Sequence, residues 1–312
     1  MRSLPLGRSG IDITEFIFGA GGIGGIGSAE ATRGLGLDAE EGLSRLTEAH
    51  ALGIRVVDTA DRYAGGESER VVGRWLATHP APDVLVQTKV GLDLSAANID
   101  RRLARSIERL GRVDLYLSHA PDPSTPVEET LTAFAEALHS GRIRAYGVSN
   151  VDARLLDELL SAADRLDLPR PEFVQNGFSL LSRDDEHDLL PLIAGTGLAY
   201  MAFSPLAGGL LSDRYLDRAA PPEGSRIALA GHLFYPGLHS PANLARVARL
   251  RDLARAHGVS TAGLALAWLR SHPAVTAPIV APSTAAQWQA VREALALPLT
   301  DALFAETASL FA

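Results

Sequence analysis

The 312 residues include 29 Lys and Arg, 37 Asp and Glu and no Cys, which gives a formal net charge of −8. Without cysteine the chain has no disulfide, thiolate metal site or thiol nucleophile. An acidic chain that lacks clusters of Lys and Arg is also poorly suited to the phosphate backbone, so no nucleic-acid partner is expected. The sequence shows neither a leader pattern nor a run of about 18 apolar residues, and therefore predicts a cytoplasmic protein with no membrane partner.

Short apolar runs alternate with amphipathic stretches along the chain. The runs are typical of strands buried on both faces of a parallel sheet, and they lie at residues 16–18, 54–57, 84–87, 115–117, 143–148, 173–175, 199–203 and 275–280. Amphipathic helices are predicted at 39–51, 99–110, from 126 onward, 151–160 and 184–194, with 244–256 and 261–269 as the last two of the series. Eight strands, most of them followed by a predicted helix, predict an α/β fold, a single (β/α)8 TIM barrel domain over residues 1–312.

Two segments depart from the repeating unit. Residues 4–6 and 11–13 flank a Gly-Arg-Ser-Gly turn and predict an N-terminal β-hairpin that caps the bottom of the barrel. Residues 204–240 are rich in Gly and Pro and predict a long loop at the C-terminal face after the seventh strand. A loop of this length in a compact domain usually serves function.

Residues 19–24 read Gly-Ala-Gly-Gly-Ile-Gly and match the dinucleotide-binding pattern G-x-G-x-x-G. That motif works only where a helix begins and its N-terminus holds the pyrophosphate. Here more glycines follow, and each would cost a helix about 1 kcal/mol. We therefore interpret the segment as a flexible βα loop near the active site rather than as a Rossmann fingerprint.

Four polar residues fall at or just after the ends of three consecutive predicted strands. Asp58 ends the second strand and Tyr63 follows it, Lys89 ends the third strand, and His119 ends the fourth. Because catalytic groups of such barrels lie at this end, the four side chains are expected to converge. Lys89 is also the only lysine in the sequence.

These residue types suit the reduction of a carbonyl group. A phenol has a pKa near 10 and needs a nearby ammonium, such as Lys89, to make proton transfer easier at neutral pH. A buried ammonium in turn needs an anion, which Asp58 supplies. His119 can donate to the carbonyl oxygen and orient it. The set lacks a hydride source, so a nicotinamide cofactor is expected, and no metal site is predicted.

The chain resembles the aldo-keto reductase family over nearly its whole length. The matching segments are GIRVVDTA at 53–60, Tyr63 with Gly66, Ser68 and Glu69, TKV at 88–90, DLYLSH at 114–119, DPSTP at 122–126, GRIR at 141–144 and GVSN at 147–150. The four residues between Asp58 and Tyr63 reproduce the family's own spacing. The resemblance implies that Tyr63 is the general acid of reduction and that Lys89 tunes it. It also implies that Asp58 holds Lys89 and that His119 orients the substrate carbonyl.

The resemblance also implies where the cofactor binds. Three residues would anchor the nicotinamide carboxamide, Phe178 would stack on its ring, and the loop at 204–211 would cover the pyrophosphate through closely approaching backbone amides. The implied cofactor-binding residues are Ser149, Asn150, Gln175, Phe178, Ser204, Pro205, Leu206, Gly208, Leu210, Arg214, Ser283 and Gln287.

The segment that binds the adenosine 2′-phosphate in many relatives departs from the family pattern. Ala281, Gln287 and Val291 stand where those relatives carry a cation, an Arg and an Asn. Fewer charge contacts weaken selection for the phosphate, while Arg214 or Arg292 can compensate from elsewhere. We expect NADPH as the cofactor, with NADH as the alternative.

The residues leave three other functions open. The same four side chains would serve an NAD(P)⁺-dependent sugar or aldose dehydrogenase, because one Tyr acts as acid or base. A non-catalytic, nucleotide-sensing regulatory subunit and a barrel enzyme without nicotinamide are the others. The expected partner is a small-molecule carbonyl substrate, and candidate pocket residues are Arg62, Arg226, His232, Phe234 and Tyr235. The sequence does not predict the oligomeric state.

Overall fold

The computed structural model describes residues 1–79, 81–218 and 220–312. Eight parallel strands close into a barrel in which each strand pairs with the next along the chain and the last pairs with the first. They are β3 (Ile17–Gly19), β4 (Val56–Asp58), β5 (Leu85–Val90), β6 (Leu115–Ser118), β7 (Ala145–Ser149), β8 (Phe173–Gly177), β9 (Ala199–Phe203) and β10 (Ala277–Val280). The predicted (β/α)8 barrel is confirmed, and each predicted strand overlaps an observed one.

The N-terminal hairpin is also confirmed. Strands β1 (Ser3–Pro5) and β2 (Asp12–Thr14) pair antiparallel, with Leu4 opposite Ile13. Three apolar side chains of this hairpin, Leu6, Ile11 and Ile13, are buried in one cluster with the residues that fill the barrel interior. The hairpin therefore covers the bottom of the barrel, and the chemistry is left to the opposite end.

Alternation along each strand divides the core into two layers. In β3, Ile17 belongs to the cluster inside the barrel and Phe18 to the cluster between sheet and helices. In β8, Phe173 faces inward and Val174 outward by the same rule. Since successive side chains of a strand point to opposite faces, every second residue enters the barrel.

Eleven helices are present among the described residues. They are α1 (Ala39–Ala51), α2 (Glu67–Thr78), α3 (Ala96–Leu110), α4 (Val127–His139), α5 (Ala153–Arg165), α6 (Leu189–Thr196), α7 (Arg226–Phe234), α8 (Pro241–Ala256), α9 (Thr261–Ser271), α10 (Trp288–Ala296) and α11 (Asp301–Ser309). Several begin where an Asp, Ser or Thr side chain accepts a backbone N–H of the first turn, as Asp38 does in the capping box of α1. In the part of the chain that the structure describes, no helix has the length and apolar character needed to cross a membrane.

The segment after β9 differs from its prediction as one long loop. It contains 3₁₀ turns at Ala207–Gly209 and Asp213–Tyr215, and then helix α7. Helices α8 and α9 both precede β10, and α10 follows it. The last two predicted helices therefore belong to one unit, and α10, like α2 and α11, was not predicted. Short helices such as α7 and α10 show too few turns for apolar periodicity to identify them.

The glycine-rich segment after β3 is a βα loop, as interpreted. The first following helix, α1, begins only at Ala39. The loop folds on itself: the Gly24 amide donates to the Leu37 carbonyl at 2.7 Å, and a Cβ on Gly36 would lie 2.1 Å from the Gly25 carbonyl oxygen. Glycine at these positions lets backbone approach backbone, and no phosphate-binding helix begins at the motif.

Candidate active site

The four predicted catalytic residues meet at the carboxyl ends of neighbouring strands. Asp58 ends β4, Lys89 is the penultimate residue of β5, and His119 follows β6 directly. Tyr63 opens a short turn, Tyr63–Gly66, on the way to α2. The strand pairing places β4, β5 and β6 side by side, so the side chains of all four residues share one end of the barrel.

Lys89 contacts both Asp58 and Tyr63. Its Nζ donates to both carboxylate oxygens of Asp58 at 2.7 Å, to the Thr59 carbonyl at 2.8 Å and to the Tyr63 Oη at 3.2 Å. The side chain is 1% exposed. A buried ammonium with this many oxygen partners remains charged and fixed in place.

Asp58 is held from both sides of the barrel. Its Oδ1 accepts from the side-chain amides of Gln87 at 2.6 Å and Gln175 at 3.1 Å. Gln175 was predicted to anchor the nicotinamide carboxamide, and in the structure its side-chain amide donates to Asp58. Gln87 escaped the sequence analysis, although it lies two residues before Lys89 and therefore shares the inward face of β5 with it.

The Tyr63 ring is clamped between two neighbours. A Cβ added at Gly21 would lie 3.2 Å from the ring, and the His119 ring meets it edge-on with centroids 5.4 Å apart. The residues that follow, Ala64, Gly65 and Gly66, all have positive φ. This left-handed run turns the chain sharply into α2 and fixes the direction in which Tyr63 enters the site.

The protonation states follow from burial and neighbouring charge. Burial raises the pKa of Tyr63, and the Lys89 charge opposes that rise without cancelling it. For Lys89 the burial effect lowers the pKa, but Asp58 and Tyr63 outweigh it and the net direction is upward. Burial, with the Lys89 and Arg62 charges, lowers the pKa of His119 to about 3. The site at neutral pH holds a phenol, an ammonium and a neutral imidazole, and the expected lowering of the phenol pKa is not found.

Ser149 and Asn150 reach the site at the end of β7. The Ser149 hydroxyl donates to the Gln175 carbonyl at 2.6 Å, and the Asn150 amide donates to the His119 carbonyl at 2.8 Å. Asn150 has a φ of +59° and is exposed at the barrel end. Both residues lie where a carboxamide anchor was predicted, and Asn150 also ties down the backbone of His119.

The prediction that Phe178 stacks on a nicotinamide ring is wrong. Its ring is 1% exposed and packs against Tyr200, Trp268 and His272 in the layer between sheet and helices. Strand alternation explains this, because Gln175 faces inward and a residue three positions later faces outward.

Phe203 is the aromatic residue that the sequence analysis missed. It ends β9, packs against the cluster inside the barrel and is only partly buried. A Cβ at Gly177 would lie 3.2 Å from the Phe203 ring, so the glycine leaves room for it. The signal was available in the sequence, because Phe203 has the same strand parity as Ala199 and immediately precedes the Ser-Pro-Leu segment.

The loop after β9 lies under the end of α7. Ser204, Ala207, Gly208 and Gly209 have positive φ, and a Cβ on Gly208 would lie 2.6 Å from the Tyr235 ring. The Tyr235 hydroxyl lies 3.0 Å from the Ser204 hydroxyl. Pro205 and Leu210 are buried and Leu206 is partly buried. The larger side chains of the loop are therefore at least partly buried, and its role at a pyrophosphate stays a prediction.

The segment after β10 is closed by a side chain of its own. The Gln287 Oε1 accepts the backbone N–H of Ser283 at 2.7 Å, the Ser283 hydroxyl at 3.0 Å and the Thr284 N–H at 3.4 Å. Ala281 and Gln287 are exposed. Arg214 is also exposed, and no carboxylate of the described residues lies within ion-pair distance of it. Among those residues no group of three or more His, Asp or Glu is arranged to hold a metal ion.

Residues 20–311 match the model of the Aldo/keto reductase family. The chain therefore belongs to this family, and the resemblance seen in its motifs is confirmed. A solved structure of a thermostable aldo-keto reductase in complex with the inhibitor epalrestat superposes with a TM-score of 0.79 at 29% identity, covering 99% of this chain and all of the other. The family is one of oxidoreductases that act on small-molecule carbonyls with nicotinamide cofactors.

The curated relatives include both reductases and potassium channel subunits. The NADH-specific methylglyoxal reductase of Escherichia coli (strain K12) is 34% identical over 72% of this chain and 73% of its own length. The versiconal hemiacetal acetate reductase of Aspergillus parasiticus is 30% identical over 88% of this chain and 86% of its own length. A probable voltage-gated potassium channel subunit beta of Oryza sativa subsp. japonica is 33% identical over 89% and 86%, respectively.

Proposed function

We propose that this chain reduces the carbonyl group of a small aldehyde, ketone or sugar to an alcohol with hydride from NADPH or NADH, and that Tyr63 donates the proton. The observation that carries the proposal is the contact chain from Asp58 through the Lys89 Nζ to the Tyr63 Oη, with distances of 2.7 and 3.2 Å. A general acid must lie within hydrogen-bond reach of its proton acceptor. These contacts fix the Tyr63 phenol at the open end of the barrel.

The protonation states support the direction of reduction. A phenol whose pKa is raised keeps its proton at neutral pH and has it available for the carbonyl oxygen. After transfer the phenolate lies against the Lys89 ammonium, which stabilises it. His119 is neutral and can donate one N–H to the same oxygen without bringing a second positive charge close to Lys89.

The residues that would hold the cofactor surround this phenol. Ser149 and Asn150 offer polar groups at the end of β7, and the half-buried Phe203 ring offers a face at the end of β9. Backbone of the Ser204–Leu210 loop and the Arg226 guanidinium of α7 suit a diphosphate, because the charge of Arg226 already reaches Tyr63 and its Nε is buried without a hydrogen-bond partner among the described residues. When bound, the cofactor supplies the hydride.

The absence of a cation at positions 281 and 287 supports use of NADH beside NADPH. The backbone amides of Ser283 and Thr284, which a 2′-phosphate would otherwise engage, are taken up by Gln287. Loss of a charge-assisted contact removes part of the discrimination between the two cofactors.

A regulatory role is the second candidate, because several curated relatives carry the name of a potassium channel subunit beta. The complete set Asp58, Tyr63, Lys89 and His119 favours turnover over pure sensing. The two roles differ in whether a bound, reduced cofactor is consumed.

The decisive experiment follows oxidation of NADPH and NADH by absorbance with a panel of aldehydes, ketones and keto-sugars, for the wild type and Tyr63→Phe. We expect the variant to lose about 10²- to 10⁴-fold in kcat, the usual contribution of a general acid, while quenching of protein fluorescence shows unchanged cofactor affinity. Equal turnover by both proteins would refute Tyr63 as the acid. Tight cofactor binding with no turnover of any carbonyl would favour the regulatory role.

A further inference from the structure

A second carboxylate, Asp61, is buried in the turn that carries Tyr63. Its side chain is 1% exposed, and its backbone N–H donates to the Lys89 carbonyl at 3.2 Å. The Arg102 guanidinium of α3 approaches its Oδ2 to 3.2 Å. Neither carboxylate oxygen makes an aligned hydrogen bond to any described residue. Asp61 is thus a buried carboxylate whose ion-pair partner, Arg102, comes from the neighbouring helix.

Glu69 shows what a well-satisfied carboxylate looks like in the same layer. It is fully buried on α2, accepts from the Thr88 hydroxyl at 2.7 Å and pairs with Arg109 of α3 at 2.8 Å. Arg102 and Arg109 are seven residues apart and therefore lie on one face of α3. Helix α3 thus holds α2 through Glu69 and the Tyr63 turn through Asp61.

The surroundings of Asp61 make its charge costly. Burial raises the pKa of Asp61 to about 6, and the Glu69 charge adds to this rise. The Arg102 and Arg62 charges and the Gly91 backbone amide act in the opposite direction. From β6, the buried Tyr116 hydroxyl faces the same layer, and burial followed by the Asp61 and Glu69 charges raises its pKa. Ser106 of α3 contributes another buried hydroxyl without a partner among the described residues.

A buried ion pair of this quality is weak support for stability, and an apolar side chain of similar size would often serve the fold as well. The Asp61 carboxylate, however, links the chain between Asp58 and Tyr63 to α3 through its contact with Arg102. The turn that follows is closed by short local hydrogen bonds, from the Tyr63 N–H to the Ala60 carbonyl at 3.1 Å and from Gly65 to Arg62 at 3.1 Å. We therefore expect a shift of residue 61 to be transmitted through this turn to Tyr63.

We propose that Asp61 is a positioning residue of the reaction, which with Arg102 holds the 59–66 turn so that the Tyr63 hydroxyl stays beside Lys89. This inference rests on the proposed function only for its effect on rate. The effect on the turn itself is independent of any catalysis.

The test compares the full-length wild type, Asp61→Asn and the matched control Glu69→Gln, which removes the other buried charge paired with α3. We expect Asp61→Asn to lower kcat about tenfold at pH 8, as expected for about 1.4 kcal/mol of misplacement, with a smaller change in KM. Amide hydrogen exchange at Tyr63 and Gly65 becomes faster in the same variant. Glu69→Gln lowers the melting temperature but leaves kcat and exchange in the turn near the wild-type values.

Acid pH provides the readout that a purely structural role would not move. In the wild type, protonation of Asp61 as the pH falls through about 6 lowers kcat and speeds exchange in the turn, after correction for the intrinsic rate. Asp61→Asn shows neither inflection. Because the folded-state pKa lies above the ordinary 3.8, the charged carboxylate destabilises the fold above about pH 6, so Asp61→Asn should be at least as stable as the wild type at pH 8.

Unchanged exchange in the turn together with an unchanged pH profile in Asp61→Asn would overturn the proposal. So would a variant whose kcat falls only in proportion to unfolded protein. If no carbonyl is turned over by any of the three proteins, the proposed function fails, while the exchange data still decide whether Asp61 holds the turn.

Discussion

The Lys89 ammonium and the Asp58 carboxylate form a two-pronged contact, 2.7 Å from Nζ to each oxygen, with side chains 1% and 5% exposed. Burial therefore shields both charged groups from bulk water. A buried pair of this kind is costly to break because the remaining charge loses its partner. The pair therefore affects both the stability of the fold and the activity of the site. Variants can separate these two effects.

Lys89→Met should destabilise the protein by about 3–5 kcal/mol, because Asp58 is left buried and charged. The double variant Asp58→Asn with Lys89→Met should recover at least half of that loss, since no uncompensated charge remains, while staying inactive. Urea unfolding of the three proteins at pH 7 measures the difference. A double variant no more stable than Lys89→Met would show that the two side chains stabilise the fold separately.

The catalytic cluster was predictable because each member stands at a strand end in a motif with fixed spacing. Asp58 to Tyr63, Lys89 inside TKV and His119 at the end of DLYLSH are local features, and the barrel then brings them together. The contacts from Gln87 and Gln175 to Asp58 were not predictable to the same degree. Gln87 contacts Asp58 from the neighbouring strand, whereas Gln175 reaches it across the barrel interior and lies 117 positions away in the sequence.

The assignment of Phe178 failed for a physical reason that the sequence contained. On β8, Phe173 faces into the barrel, so Gln175 and Gly177 do too, and Phe178 must face the helices. On β9 the same count puts Phe203 inside with Ala199. Alternation along a strand, counted from one residue known to face inward, therefore distinguishes Phe203 from Phe178. Residue type and position near a strand end do not distinguish them.

Substitution of these two rings by leucine tests the correction. Phe178→Leu should lower stability by about 1–3 kcal/mol, because it disturbs packing against Trp268 and Tyr200, and should leave the KM for cofactor unchanged. Phe203→Leu should do the reverse, with a several-fold rise in the cofactor KM and little loss of stability. Thermal unfolding and steady-state kinetics on both variants give the comparison. A cofactor KM that rises only in Phe178→Leu would restore the original assignment.

The contact between Gly208 and Tyr235 predicts how α7 is held over the loop after β9. Gly208→Ala places a methyl group 2.6 Å from the Tyr235 ring at a φ of +70°. Gly224→Ala has nearly the same φ, +69°, with no atom within 4 Å, so it isolates the backbone strain of about 1–2 kcal/mol.

We expect both alanine variants to lose similar backbone stability, and only Gly208→Ala to weaken cofactor binding, by roughly tenfold, because Tyr235 must leave Ser204. Fluorescence titration with NADPH and NADH measures the affinities. Equal weakening in the two variants would mean that the backbone strain, rather than the Tyr235 contact, controls the loop.

The last prediction concerns the choice between NADPH and NADH. Gln287 accepts from the Ser283 hydroxyl and from two backbone amides, in the segment that we expect to bind the adenosine end of the cofactor. Gln287→Arg removes this cap and adds a guanidinium next to the freed amides. A charge-assisted hydrogen bond of this kind contributes about 1.5–3 kcal/mol, so the ratio of kcat/KM for NADPH to that for NADH should rise at least tenfold.

Gln289→Arg is the matched control, because Gln289 is exposed on α10 and its side chain hydrogen-bonds, among the described residues, only to Glu293, at 3.2 Å. It adds the same charge two positions away without opening the Ser283 amide. A general electrostatic attraction of the extra phosphate would raise the ratio in both variants, whereas a specific contact raises it only in Gln287→Arg and loses the gain in high salt. An unchanged ratio in Gln287→Arg would place the adenosine end of the cofactor away from this segment.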